Sequence, residues 1–148
     1  MPNDDLTAEQ VRDFRALAGM IIPPSAAYGV PGADDERIFA DILRSLERDR
    51  GDIRRALADL AKLAGGSFAD LEAERRTEVA AAFRQAGGAP LAALVRVVLL
   101  CYYRDDRVMR SLGQDPRPPF PKGHVVEQGD WSLLEPVRTR PPMYRTID

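Results

Sequence analysis

The chain has 148 residues, 45% of them hydrophobic and 30% charged, with a formal net charge of −2. That length fits one domain with a core of its own, and carboxylates interleaved with arginines, as in ERDRGDIRR at 47–55, leave no basic block for a nucleic-acid backbone. No apolar run reaches the roughly 18–20 residues that cross a bilayer, and a single cysteine, Cys101, excludes an internal disulfide and a four-thiolate metal site.

In chain order, Thr7 and Gln10 stand at capping-box spacing, and Val11, Phe14, Leu17 and Ala18 then mark one face of a helix that runs to Ile21. Pro23 and Pro24 end it. The turn-forming stretch 23–34 follows, after which Asp34 or Asp35 caps a second helix with Ile38, Ile42, Leu43 and Leu46 inward. Gly51 is expected to break the register before a third helix, about 52–64, with Ile53, Leu57, Leu60 and Leu63 on one side and Gly65-Gly66 as its stop. A fourth helix over 70–86 carries the stripe Val79, Ala82, Phe83 and Ala86. Gly87-Gly88 closes it, and Pro90 suits the first turn of the next. That fifth segment, LAALVRVVLLCYY, is apolar almost all round, which places it in the middle of a bundle. A sixth, short helix starts near Asp105 and closes at Gly113. The fold class is therefore all-α: a bundle of five to six helices over 1–113, continued as one unit by a long, extended, proline-rich tail over 114–148.

Seven of the twelve prolines fall after Gln114, and they favour extended geometry that lacks donors for a ladder. Disorder is the simplest expectation for such a tail. Against it, Phe120, Val125, Val126, Trp131, Leu133, Leu134, Val137, Met143 and Tyr144 supply more large apolar groups than disordered segments carry. Part of this strip is expected to lie on a second protein, since stiff prolines lower the entropy lost on docking and Trp, Tyr and Arg are frequent interface anchors. Packing back on its own bundle is the competing expectation.

Catalytic patterns are lacking. The only histidine, His124, lies between glycines in a loop that gives Glu127 and Asp130 no fixed spacing as co-ligands. None of the serines stands in a G-x-S-x-G elbow, and YGVPGAD at 28–34 lacks both the strand and the spacing of a dinucleotide loop. Cys101 reads as a small buried hydrophobe. Tyr102 and Tyr103 read as core and rim packing, with pocket formation as the other option.

The pieces LTAEQ, CYYRDDRVMRSLG, PPFPKGH and GDWSLLEPVRTRPPMYR, in that order, resemble the gluconate 2-dehydrogenase subunit 3 family. The resemblance covers most of the chain and is sharpest from Tyr102 to Arg145. It implies a small helical, noncatalytic subunit that binds and stabilises a large flavin-dependent oxidoreductase of the glucose-methanol-choline type, acting on sugars, sugar acids or glycosides. The FAD and the catalytic base would then lie in the partner chain, with no cofactor in this one. Relatives resembling it in this way often carry a twin-arginine export leader. Here the arginine pairs, Arg54-Arg55 and Arg75-Arg76, fall inside predicted helices, and the opening MPNDDLTAEQ has no basic stretch followed by an apolar one. The cytoplasm is the expected location, with the periplasm as the alternative if a leader has been removed, and the C3 hydroxyl of a glycoside is one candidate for oxidation.

The expected partner-binding residues are Tyr102, Tyr103, Pro119, Phe120, Pro121, Lys122, Trp131, Leu134, Met143 and Tyr144. The competing functional reading is an independent helical regulator or small-molecule-binding domain, with a pocket near Tyr102 and Tyr103 and the tail as its lid.

Overall fold

The computed structural model describes residues 5–118, 120–123 and 126–144. Expectations attached to Pro119, His124, Val125 and Arg145 lie outside them. Among the described residues the fold is all-α: no strand forms, and one isolated bridge pairs Ser25 with Val30. No single helix is long and apolar enough to cross a membrane. The chain divides into two units, Met1–Pro116 and Arg117–Asp148.

The first unit contains six α-helices: α1 (Ala8–Ile21), α2 (Glu36–Arg44), α3 (Arg50–Ala64), α4 (Ala73–Ala86), α5 (Ala89–Tyr103) and α6 (Asp106–Ser111). Their starts follow the predicted chemistry. The Thr7 hydroxyl accepts from the Gln10 amide at 3.1 Å, and the Gln10 side chain accepts from the Thr7 amide at 3.0 Å, which completes the capping box. Asp35, not Asp34, caps α2, accepting from the amides of Arg37 and Ile38. Asp105 caps α6 through the Arg107 amide. Helix α3 ends on Gly65 at φ 75°, the left-handed cap that glycine reaches without a Cβ clash.

Helix α3 is the spine of the unit, packed against α1, α4 and α5, while α5 also meets α2 and α6. The core gathers Phe14 and Leu17 from α1, Ile38 and Ile42 from α2, Ile53, Leu57 and Leu60 from α3, and Leu94, Val98 and Cys101 from α5, all buried. Each such aliphatic side chain is worth roughly 1.5–3 kcal/mol of burial.

Four expectations are corrected. The break before α3 is a 3-10 turn at Glu47–Asp49, and Gly51 lies inside the first turn of α3. Leu63 sits at the edge of α3 with 39% exposure, and Ala56 takes the inward position. On α4, Ala82 and Ala86 face outward, leaving Val79 and Phe83 as the buried pair. Helix α5 is not central: Ala93, Leu94, Val97, Val98, Cys101 and Tyr102 are buried, but Leu99, Leu100 and Tyr103 are exposed. An apolar run fixes how much greasy surface a helix carries and not how many neighbours cover it.

Two buried features lie off the helical stripes. Phe68, in the α3–α4 connection, is fully buried. Asp13 on α1 is 2% exposed and accepts from the Ser67 hydroxyl at 2.7 Å and the Ala69 amide at 2.9 Å, holding that connection against α1. The loop after α1 is held as tightly. The Ala33 amide donates to the Ile22 carbonyl at 2.9 Å, and a Cβ on Gly32 would come within 2.5 Å of Asp34 Oδ1 and 3.1 Å of the Ile22 carbonyl oxygen. Gly32→Ala is expected to lower unfolding free energy by about 1–3 kcal/mol through overpacking, measurable as a shifted urea midpoint at unchanged slope.

The second unit is not uniformly extended in its described part. A 3-10 turn at Trp131–Leu134 runs directly into α7 (Glu135–Arg138). Asp130 starts it, accepting from the amide and hydroxyl of Ser132, and these bonds hold the Asp130 carboxyl below its usual range.

Candidate partner-docking surface

The residues expected to meet a partner separate into two groups. Tyr102 is withdrawn from the surface: it is a core residue at 4% exposure, and its hydroxyl donates to the Pro31 carbonyl at 3.1 Å. Burial pushes its phenol pKa up, with Tyr103 adding to the shift. Tyr103 stacks edge-on against it, ring centroids 5.3 Å apart, and remains half exposed. The pair is thus core and rim.

The remaining candidates that can be described are all exposed. Phe120, Pro121, Lys122, Trp131, Leu134, Met143 and Tyr144 face solvent. Trp131 is 59% exposed, Tyr144 76% and Met143 90%, and Val126, Leu133 and Val137 share this condition. Single exposed apolar side chains are ordinary, whereas large contiguous apolar patches are in general the mark of interaction surfaces. The 3-10 turn and α7 give part of the run a regular backbone.

On the first unit, the RDDR run after Tyr103 builds a charged cluster that the sequence reading did not assign. The Arg107 guanidinium bridges two helix caps, donating to Asp35 at 2.6 Å and to Asp105 at 3.0 Å. Asp105 has a side chain only 5% exposed, and Arg107 holds both carboxyls below their usual range against the opposing effect of burial. One residue away in the chain, Arg104 donates to Asp41 at 2.6 Å and also reaches Ser45 and, at 3.4 Å, the Cys101 sulfur. Asp41 is likewise held low, chiefly by Arg104, while burial pushes the Cys101 thiol up. A thiol in that state is a poor nucleophile.

Beside this cluster lies a cleft of about 220 Å³ lined by Arg37, Asp41, Arg44, Arg104 and Asp106 among others. Its cations are matched by carboxylates: Arg37 faces Asp105 at 3.9 Å and Arg44 faces Asp41 at 3.4 Å. The cluster ties α2, α5 and α6 together. Among the described residues, no three metal-ligating side chains converge. The signal for this cluster was present as an Arg two positions after a capping Asp. Its far partners, Asp35 and Asp41, are brought in only by the tertiary fold.

The chain matches no family model, no curated protein and no solved structure.

Proposed function

We propose that this chain is the noncatalytic small subunit of a complex with a large FAD-dependent sugar or glycoside dehydrogenase, which it binds and stabilises through its proline-braced C-terminal strip. The observation that carries the reading is the exposure of every described apolar side chain from Val126 to Tyr144, Trp131 included. The sequence resemblance supplies the class of partner. In this reading the FAD and the reacting groups belong to the large chain, the complex is cytoplasmic, and glycoside oxidation at C3 is a candidate reaction.

Co-expression with the products of the genes that flank its own tests the reading directly. Affinity capture of this chain should bring down a protein with flavin absorbance in fixed ratio, and capture of none would remove the proposal's main support. Trp131→Ala should weaken that association by about 1–3 kcal/mol, the range for truncating an aromatic anchor, as measured by titration calorimetry on the purified pair.

A further inference from the structure

Helices α4 and α5 meet at a bend of 115° across Gly87 and Gly88, whose φ values of 63° and 98° suit glycine. Within the first unit, this elbow and the end of α1 enclose an apolar trough of about 500 Å³. Leu17 and Phe83 form its buried floor, and Met20, Ala81, Leu91 and Val95 form its walls. The α5 wall continues past the trough, because Leu91, Val95, Leu99 and Tyr103 recur every fourth residue and lie on one side of the helix. That ridge is about 18 Å long at 1.5 Å per residue. Arg84 stands at the trough's edge. Among the described residues of the first unit it is the one cation with no carboxylate, carbonyl or ring to meet it.

We propose that this trough is a second docking surface, taking one face of an amphipathic helix of the partner whose Asp or Glu side chain meets Arg84. The proposal rests on the small-subunit reading above and adds where on the bundle the partner sits. A small amphiphilic carboxylate would match the same chemistry, but the trough is open to solvent along one side. Ligand pockets bury most of their ligand's surface, whereas a helix lays down only its apolar face and keeps the other in water. A second copy of this chain is disfavoured by charge. No carboxylate lines the trough, so a twofold contact of trough on trough would bring neither Arg84 a counter-ion.

The test uses the full chain co-purified with its flavoprotein. Ala81 and Arg84 are both exposed, so Ala81→Arg and Arg84→Glu should leave the melting temperature of the free chain unchanged. Ala81→Arg is expected to weaken association at least about 30-fold by filling the trough. Arg84→Glu should weaken it about tenfold at low ionic strength, with the loss shrinking in about 0.5 M salt, while Arg84→Lys retains most of the affinity. If the wild-type chain captures the flavoprotein and both variants bind it equally well, the trough is not a docking surface and the small-subunit reading stands. If the wild-type chain captures none, both fall. Trough-dependent dimers in sedimentation, or displacement of a fluorescent fatty-acid probe by long-chain carboxylates, would overturn the helix assignment in favour of the other occupants.

Discussion

Arg107→Met is expected to cost about 2 kcal/mol of folding stability, below the roughly 3–5 kcal/mol found when one partner of a fully buried pair is removed, because the Arg107 side chain is itself 38% exposed and screened by water. The reason is Asp105, whose nearly buried carboxylate caps α6 and would lose the guanidinium 3.0 Å away. Asp35, the cap of α2, loses the same partner. The pH dependence gives a second readout. Both carboxyls have folded pKa values held below the usual 3.8. Their contribution is therefore present above pH 3.8 and is lost as the pH falls through the lowered folded values. Urea denaturation from about pH 6 down to about pH 2 should show the wild type losing stability on the acid limb. The variant, with carboxyls no longer held low, should lose less, so the two curves converge. Parallel curves would mean that Arg107 acts through packing alone.

Truncation after Pro116, at the boundary between the two units, should weaken association with the proposed flavoprotein partner by at least about a hundredfold, since it removes the tail's exposed aromatic side chains Phe120, Trp131 and Tyr144 together. The helical circular dichroism and the urea midpoint of the remaining chain should hardly move. The core side chains lie before that boundary, and α6 keeps its closing bonds, among them Gly113 amide to Arg110 carbonyl at 3.0 Å. Undiminished association would shift the whole interface onto the bundle. Collapse of the helical signal would mean instead that the tail is structural.

Local chemistry made much of this architecture legible. Thr7 with Gln10, Gly65 and Pro90 each announce a helix end through hydrogen bonds or φ values that depend only on neighbouring residues. Periodicity located Phe14, Ile38, Ile42, Ile53 and Leu57 in the core because one helical face is the least that must be buried. It failed where burial depends on a distant element. Leu63 reads like Leu60, but at the edge of α3 it is only partly covered. Phe68 is in a connection and has no stripe to belong to. The candidate surface divides in the same way. An apolar tail rich in prolines can be read directly, whereas the fate of Tyr102 depends on whether a loop seventy-one residues earlier offers it the Pro31 carbonyl.

The sharing of Arg107 between two helix caps also limits how this sequence can vary. A change at Asp35 alters the counter-charge felt by Asp105, seventy residues away in the chain, although those two carboxylates need never touch. Substitutions at the three positions should therefore combine non-additively, and natural drift at any one of them would be tolerated only against a background already adjusted at the others.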